Sequence, residues 1–203
     1  MGIFITFEGQ EGAGKSTQAK LLCDYLLLGG YNAILTREPG GTLLTESIRS
    51  IIMDNKNQNM STATEALLFL AARAQLVSEI IAPHLAKGGI VICDRFIDST
   101  IAYQCFGNEL PIDTITNICN FATDNLMPDI TFFLQIDPIM GLSRKNTENF
   151  DRIEQRGVDF HNKVKQGYDY LINQNQKRIK IVSSLLDIDT IHNYVVQQVS
   201  KLI

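Results

Sequence analysis

A short glycine-rich stretch near the start of the chain contains the residue types that bind phosphate groups. Gly9 and Gly14 bracket it, and Lys15 and Ser16 follow at once, in the spacing of the P-loop pattern. The glycines let successive backbone N–H groups converge on phosphate oxygens, the lysine reaches the β- and γ-phosphates, and the serine hydroxyl binds Mg²⁺. The residues predicted to hold a nucleoside triphosphate are Gly9, Gln10, Glu11, Gly12, Ala13, Gly14, Lys15, Ser16 and Thr17.

An acidic residue is expected to complete the metal site of this loop. Asp94 directly follows the apolar run 90–93, which is the position of the Walker B acid when that run is a strand beside the P-loop strand. Such an acid holds Mg²⁺ directly or through water. We therefore predict a Mg²⁺ site formed by Ser16 and Asp94. An alternative role for Asp94 is to cap the helix that follows it.

Several side chains have the chemistry to hold a phosphorylated acceptor. Arg37, Arg49 and Arg95 can clamp a phosphate, because a guanidinium makes paired hydrogen bonds that an ammonium does not. Phe69 and Arg73 are one helical turn apart, so that a base can stack on the ring while the arginine donates to a ring carbonyl. Each of these residues alone is more often an ordinary core or surface side chain. Their joint placement favours the binding role.

The elements that must position these residues alternate between β-rich and helical segments. The predicted strands are nearly continuous in apolar residues, as expected for strands covered on both faces: 3–7, 32–36, 90–93, 130–136 and 179–182. The alternation predicts an α/β fold of the P-loop NTPase type, with a five-stranded parallel sheet, right-handed crossovers and helices on both faces.

Helical periodicity places three helices around these strands. The first covers Lys15–Leu28 and stops at a glycine pair. The second begins near Thr62, where Glu65 completes a predicted capping box, and extends to residue 87 with a kink or break at Pro83. The third begins after residue 136, with Asp137 as its N-cap.

Composition restricts the class of protein. A chain of 203 residues that is 45% hydrophobic and 20% charged fits a single domain over 1–203, and a formal net charge of −4 argues against binding to a nucleic acid backbone. The cysteines are scattered without a CxxC pair, which indicates neither zinc nor disulfides and fits the cytoplasm. We see no signal sequence and no apolar run long enough to span a bilayer, so we expect no membrane association.

Segments along nearly the whole chain resemble thymidylate kinases, in the same order. They are FEGQEGAGKSTQAKLL, TREPGGT, EALLFLAARAQ, DRFIDSTIAYQ, MPDITFFLQIDP and SRKNTENFDRIEQR. TREPGG and DR-x-x-x-S-x-x-AYQ are more specific than the P-loop, because other nucleoside monophosphate kinases do not carry both. The resemblance implies transfer of the γ-phosphoryl group of Mg·ATP to dTMP, giving ADP and dTDP, in a homodimer with a short lid at about 141–157.

The resemblance also implies roles for individual residues. Besides Lys15, Glu8 and Arg95 are implied at the reaction centre. The implied substrate-binding residues are Glu8, Arg37, Glu38, Arg49, Phe69, Arg73, Arg95, Ser99, Thr100, Tyr103, Gln104 and Tyr168. Arg37, Arg49 and Arg95 are implied at the acceptor phosphate, whereas Phe69, Arg73 and Gln104 are implied at thymine. Tyr103 would crowd the ribose 2′ position, and Tyr168 would cover the nucleoside.

One further arginine is implied, because thymidylate kinases place a transition-state arginine either in the P-loop or in the lid. Residues 10–13 contain none, so the lid-arginine type of bacteria is implied. Arg152 is our first choice and Arg144 our second among four basic residues, the others being Lys145 and Arg156. Alternatively, this stretch is a charged helix face with Glu148 and Glu154 as partners.

The chain departs from the family pattern at a few positions. Thr100 stands where Ser or Asn is expected, and its hydroxyl should keep the contact to the base. Cys105 stands where Gly is expected, which leaves the path of the following loop open. Residues 146–148 are less basic than is usual in a lid.

Two other functions remain open from the sequence. The first is another P-loop deoxynucleoside or nucleoside monophosphate kinase, although a nucleoside acceptor would give the three arginines at the acceptor phosphate no partner. The second is a nucleotide-binding switch that hydrolyses slowly. A GTPase is disfavoured because Asn55-Lys56-Asn57-Gln58 lacks the acidic residue that reads guanine.

Overall fold

All five predicted strands are present and form one parallel sheet in the order β2-β3-β1-β4-β5. The computed structural model describes residues 2–145, 148 and 150–203. The strands are β1 Ile3–Gly9, β2 Ala33–Arg37, β3 Ile90–Asp94, β4 Ile130–Gln135 and β5 Ile179–Ser183. This arrangement confirms the predicted α/β fold of the P-loop type. Of the predicted lid segment 141–157, residues 146, 147 and 149, which include Asn146 and Thr147, lie outside the described part.

The helices connect the strands in the expected alternation. They are α1 Lys15–Leu28, α2 Leu43–Met53, α3 Thr62–Leu76, α4 Ala82–Ala86, α5 Ile97–Thr100, α6 Ile112–Thr123, α7 Pro138–Ser143, α8 Val158–Gln174 and α9 Ile188–Val199. A 3₁₀ turn follows α2, and wider π turns at Val77–Ile81 and Ile101–Gly107 follow α3 and α5. The bounds predicted for α1 and the N-cap predicted at Asp137 are confirmed.

The sheet separates two apolar cores. On one face, Leu22 and Leu26 of α1 and Val195 of α9 pack with buried strand residues. On the other face, side chains of α3, α6 and α8, such as Leu70 and Tyr168, form the second core. Continuous apolar strands require this double covering, because each strand presents side chains to both faces.

Strand register brings the polar residues of three strands to one edge. In β3, Asp94 pairs with Arg37 of β2 on one side and with Phe7 of β1 on the other. Glu8, the next residue of β1, pairs with Phe133 of β4. The carboxyl ends of parallel strands are the usual position of ligands in open α/β sheets. Register alone therefore collects several of the predicted site residues.

The start of α3 differs from the predicted capping box. Ser61 is the N-cap, and its side chain accepts a hydrogen bond from the backbone N–H of Thr64. Glu65 does not return to the cap, because its carboxylate is buried and binds Arg152 and Arg156. The prediction of a capping box at Thr62 is wrong because an arginine pair distant in sequence competes successfully for the Glu65 carboxylate.

The apolar run that contains α3 is longer than the sequence analysis recognised. Helical turns continue from Thr62 to Ala86 through the π turn before Pro83, and by length and composition this one helix of the described residues could cross a membrane, with a mean hydropathy of 1.5. The expectation that no run is long enough is therefore wrong. Within the fold this helix contributes Ala66 and Leu70 to the core. Only 39% of its most apolar window is buried.

Candidate active site

The loop between β1 and α1 has the backbone of a phosphate cradle. Gly14 lies at the start of α1 with a φ of 90°, a conformation that favours glycine. A Cβ placed on it meets no atom within 4 Å, so the space above the helix N-terminus is open. The backbone N–H groups at this end of α1 can therefore face an anion.

Lys15 is the buried cation of this loop. Its side-chain ammonium donates a hydrogen bond to the backbone oxygen of Gln10 at 2.8 Å. Burial, followed by the nearby charge of Arg95, lowers the pKa of Lys15 to about 8. A phosphate group bound here would add a negative charge beside the ammonium and so favour its protonated form.

The two predicted metal ligands lie in contact. The Ser16 hydroxyl donates a hydrogen bond to the Asp94 carboxylate. No group of three His, Cys, Asp or Glu side chains that could hold a metal ion occurs among residues 2–145, 148 and 150–203. This pair suits Mg²⁺, which commonly takes one or two protein oxygens and completes its shell with water and substrate phosphates.

Arg95 is the most highly connected side chain of the site. It has a φ of 74°, and its guanidinium donates to the Gly9 carbonyl at 2.9 Å and to Glu11 at 2.6 Å. It also donates to the hydroxyl groups of Ser99, Tyr103 and Tyr168. These contacts fix the guanidinium beside the P-loop. Glu11, predicted only as a loop residue, points its carboxylate toward this arginine.

Glu8 is a buried acid beneath Arg95. Its carboxylate accepts hydrogen bonds from the backbone N–H of Phe96 at 2.7 Å, from the Ser99 hydroxyl at 2.6 Å and from the Tyr168 hydroxyl at 2.9 Å. Burial and the charge of Asp98 raise the pKa of Glu8 to about 7. This acid positions the β3–α5 turn, because both its oxygens are occupied there.

A cavity of about 310 Å³ opens at this edge of the sheet. Most predicted site residues line it: Glu11, Lys15, Ser16, Arg37, Glu38, Arg49, Phe69, Arg73, Asp94, Arg95, Ser99, Thr100, Tyr103 and Gln104. Donor-side and acceptor-side residues therefore share one space. The following predicted residues are not on its wall: Glu8, Gly9, Gln10, Gly12, Ala13, Gly14, Thr17, Arg144, Arg152 and Tyr168.

Two of the acceptor-side arginines are only lightly held. Arg37 is half exposed and pairs with Glu46 at 3.1 Å. Arg49 donates to the backbone oxygen of Pro39 at 2.9 Å, and burial lowers its pKa. Both guanidinium groups keep N–H donors for which no protein acceptor is seen within the described residues. They can bind a phosphate without breaking a buried contact.

Arg73, in contrast, is buried and fully hydrogen-bonded. Its Nε donates to Glu38 at 2.7 Å, and its other N–H groups donate to Glu38, to the Phe96 carbonyl, to the Thr100 hydroxyl at 2.6 Å and to the Cys119 sulfur at 3.8 Å. To donate a hydrogen bond to a base, Arg73 would have to give up one of these contacts, and the long contact to Cys119 is the easiest to replace. The second Glu38 oxygen is buried without a partner, and burial raises the pKa of this acid.

The wall near Phe69 has the composition of a base pocket. The Phe69 ring is partly buried, and Gln104 lies close by with its amide donating to Glu65 at 3.3 Å. Cys105 is buried within the π turn that follows α5, so the loop after AYQ is a wide helical turn rather than an open loop. The Thr100 hydroxyl accepts a hydrogen bond from Arg73, and its expected contact to the base stays a prediction.

Arg152, the first choice for a transition-state arginine, does not reach the cavity. It is 3% exposed, its Nε donates to the Ile52 carbonyl at 2.8 Å, and it forms an ion pair with Glu65. A guanidinium that is paired and buried in this way anchors the chain instead of serving a mobile phosphate. Its position in this structure contradicts the role expected from the sequence.

Arg144 and Tyr168 also lie elsewhere than expected. Arg144 donates to the carbonyls of Gly12 at 3.3 Å and Ser184 at 3.2 Å, so it contacts the outer side of the P-loop. Tyr168 is 1% exposed and packs on Phe133 with a ring separation of 4.9 Å. It supports Glu8 and Arg95 from below instead of covering a nucleoside.

Sequence reasoning missed several residues on the cavity wall: Pro39, Met53, Asp151, Ile153 and Glu154. Asp151, Ile153 and Glu154 come from the 141–157 segment, which the sequence had marked for its four basic residues, and of these Lys145 lines the cavity. The pair Arg144-Lys145 could have indicated this, because two adjacent residues at a helix end point in different directions, so that one of them can face the cavity while the other faces away.

Comparison with known proteins gives a consistent result. The family model described as thymidylate kinase matches residues 7–195. The chain is 43% identical to the thymidylate kinase of Roseiflexus castenholzii, over 94% of this chain and 90% of that protein, and 41% identical to that of Finegoldia magna, over 98% of each. The crystal structure of thymidylate kinase from Ehrlichia chaffeensis superposes with a TM-score of 0.79 at 37% identity, covering 98% of both chains.

Proposed function

The chain belongs to the thymidylate kinase family, and from that premise we propose that it transfers the γ-phosphoryl group of ATP to the 5′-phosphate of dTMP, giving ADP and dTDP. One observation carries the proposal. A single cavity is lined by Lys15 and Asp94 of the phosphate-binding side and by Arg95 and Phe69 of the acceptor side. Two nucleotides can therefore meet with their phosphates in one place.

The donor phosphates fit the loop between β1 and α1. Backbone N–H groups around Gly14 and the ammonium of Lys15 would hold the β- and γ-phosphates. Ser16 and Asp94 would hold Mg²⁺, which when bound neutralises the charge that the phosphates share. These residues bind and orient the donor, and the Lys15 ammonium stays protonated throughout.

The acceptor phosphate fits the arginine end of the cavity. Arg37 and Arg49 would grip it with their free N–H groups, while Arg95 is held beside the P-loop by Gly9 and Glu11. This arrangement places an acceptor oxygen next to the terminal phosphate of the donor. Most of the rate increase in phosphoryl transfer comes from such positioning and from charge neutralisation.

The base pocket favours thymine over cytosine. Phe69 would stack on the ring, Gln104 would reach its edge, and Arg73 would donate to the O4 atom, exchanging its long contact to Cys119. Cytosine carries an amino group at this position, so that two donors would face one another. A site built to donate rejects such a ring strongly, because buried donors are left unpaired.

We also propose that the protein is a cytoplasmic homodimer that binds neither nucleic acid nor membranes, and that 141–157 acts as the lid of a single domain. Leu67 of the helix Thr62–Ala86, an exposed large apolar residue, supports the dimer. The net charge of −4 supports the absence of nucleic acid.

A coupled assay of ADP release tests the function. Purified protein with Mg·ATP is supplied in turn with dTMP, dUMP, dCMP, dGMP and thymidine, and we expect dTMP to give the highest kcat/KM. Arg95→Ala should lose acceptor-dependent turnover, whereas Arg178→Lys, outside the cavity, should keep it. Turnover of thymidine but not of dTMP would favour a nucleoside kinase. ADP release that is independent of every acceptor would favour a nucleotide switch.

A further inference from the structure

The 141–157 segment contains four basic side chains, which lie in three different places. Arg144 binds the carbonyls of Gly12 and Ser184, outside the cavity. Arg152 and Arg156 both form ion pairs with the buried carboxylate of Glu65. Among the described residues of this segment, Lys145 is the one basic side chain that lines the cavity.

Lys145 lies within electrostatic range of the phosphate-binding loop. Burial opposes ionisation of Glu11, yet the charges of Arg95, Lys15 and Lys145 together lower the pKa of this acid to about 2. Lys145 therefore acts on the same P-loop carboxylate as the loop lysine and the acceptor-side arginine. The space shared by these three cations is where the donor and acceptor phosphates of the proposed reaction would meet.

Glu154 holds Lys145 in place. The two side chains form an ion pair in which the carboxylate is 5% exposed and the lysine is 40% exposed. The backbone N–H of Asp151 donates to the other Glu154 oxygen at 3.2 Å, which fixes the carboxylate. A long, partly exposed lysine can swing its ammonium toward a stronger anion. Glu154 then keeps the hydrogen bond from the backbone N–H of Asp151.

We infer that Lys145, and not an arginine, is the cation of the 141–157 segment that neutralises the phosphoryl group during transfer, an assignment that rests on the proposed function. In that step the bond between the γ-phosphorus and the bridging oxygen of ADP breaks, and ADP leaves with the electron pair. A dTMP phosphate oxygen supplies the pair for the new bond. Lys145 donates hydrogen bonds to the oxygens of the transferring group and keeps its proton.

The test compares Lys145→Ala with a matched control, Lys163→Ala. Lys163 is 45% exposed and pairs with Glu109 at 2.6 Å, so it resembles Lys145 in its own exposure and in pairing with a glutamate, but Glu109 is exposed and the pair lies away from the cavity. Steady-state kinetics with dTMP should show kcat lowered about 100-fold in Lys145→Ala, with the KM for dTMP within about twofold. Lys145→Arg should recover much of the rate, and Lys163→Ala should match the wild type.

A binding measurement gives a second readout. Calorimetric titration with ADP alone should be the same for wild type and Lys145→Ala, whereas ADP with aluminium fluoride and dTMP, which mimics the transition state, should bind the variant about 100-fold more weakly. Circular dichroism and Tm check that each variant is folded. Should Lys145→Ala be unfolded, Lys145→Gln replaces it in both measurements.

The outcomes separate this inference from the proposed function. A wild-type protein that phosphorylates dTMP together with a Lys145→Ala variant of equal kcat and equal affinity for the analogue would overturn the role of Lys145 alone. A wild-type protein that phosphorylates none of the monophosphates would overturn the proposed function and this role with it. A reduced kcat with an unchanged affinity for the analogue would also contradict direct neutralisation.

Discussion

Glu8 and Lys15 are ionisable side chains whose charge is set by burial. Glu8 is 1% exposed and Lys15 is 6% exposed, and in both cases burial is the largest cause of a pKa that moves toward neutrality. The acid lies beneath Arg95, and the lysine faces the donor phosphates. Stability and ligand binding should therefore both depend on pH through these two residues.

For Glu8 we predict a loss of stability as the pH rises. Its pKa is about 7 in the folded protein and 4.5 when unfolded, so the folded state binds more protons between these values. The stabilisation is complete below about pH 4.5 and is lost as the pH rises to about 7, a change of roughly 3 kcal/mol. Glu8→Gln imitates the protonated form and should lack this trend. Urea unfolding at several pH values between 4.5 and 8 measures the difference.

The control for this experiment is an exposed acid. Glu109, paired with Lys163 at the surface, should give a Glu109→Gln variant whose stability follows the wild type at every pH. A constant difference between wild type and Glu8→Gln over the whole range would show that Glu8 is already charged in the folded protein.

For Lys15 we predict that ATP binding takes up a proton at alkaline pH. With a pKa of about 8 the free protein holds Lys15 mostly neutral at pH 9, and the incoming phosphates raise that pKa. Calorimetric titration at pH 9 in two buffers of different ionisation enthalpy should show uptake of roughly half a proton or more. Lys15→Arg stays charged and should show none. Equal heats in both buffers for the wild type would contradict the lowered pKa.

The base pocket leads to a prediction about dUMP. Uracil keeps the O4 atom that Arg73 is proposed to bind and lacks only the methyl group of thymine. One methyl group in an apolar pocket is worth about 1–3 kcal/mol, so kcat/KM for dUMP should be about 10- to 200-fold lower than for dTMP, and still measurable. Undetectable turnover of dUMP at high concentration would exclude this account of the pocket.

Single residues also show where sequence reasoning reaches its limit. Lys15, Ser16, Asp94 and Arg95 line the cavity as expected, because the P-loop spacing located the first two and the carboxyl end of an apolar run located the other two. Arg152 was misplaced because its partner, Glu65, comes from a helix that is distant in sequence. Whether an arginine is buried in an ion pair or faces a ligand depends on such long-range partners.

At the scale of elements, the P-loop and α7 touch through backbone atoms. A Cβ added to Gly141 of α7 would overlap the carbonyl oxygen of Glu11 in the loop. The loop therefore rests on α7, which follows β4, the strand beside β1. This contact could not be predicted from the sequence, because it joins a glycine to a backbone carbonyl and involves no side-chain pattern.

We predict that Gly141→Ala separates these two elements. The added methyl group should cost about 1–3 kcal/mol of stability and weaken ATP binding, because the loop must move from its support. Gly157→Ala is the matched control. A Cβ there meets no atom within 4 Å, and a small loss at the N-cap is offset by lower entropy of the unfolded chain. Urea unfolding and ATP titration check both variants, and equal behaviour of the two would rule out the contact.

For strands and helices too, features set by neighbouring residues were predicted, whereas features set by contacts distant in sequence were not. Strand positions followed from apolar runs, yet the observed strands β1 and β3 extend into Glu8, Gly9 and Asp94, polar or glycine residues that pair only because their neighbours continue the ladder. The extent of α1 followed from its glycine stop. The cap of α3 did not, since Ser61 and Thr62 are both good N-caps and only the burial of Glu65 decides between them.

At the scale of the whole molecule, two regions are suited to binding: the carboxyl edge of the sheet and the helix Thr62–Ala86. The edge gathers residues from β1, β2 and β3 into the cavity, and the fold alone determines it. On the apolar helix Thr62–Ala86, Leu67 remains exposed, whereas the other large apolar side chains lie in the core or pack against it. We propose that Leu67 lies at the contact with a second copy of the chain.

The homodimer is therefore best tested on this helix. Leu67 of α3 is 56% exposed, and in a two-fold symmetric contact it would be buried twice. Burying each copy is worth about 1.5–3 kcal/mol, so Leu67→Lys should weaken the dimer by at least about 100-fold. Sedimentation velocity at micromolar concentration should show a dimeric wild type and a largely monomeric variant. Leu28→Lys, at the exposed end of α1, is the control and should remain dimeric. A monomeric wild type would refute the dimer, and a dimeric Leu67→Lys would place the interface on another face.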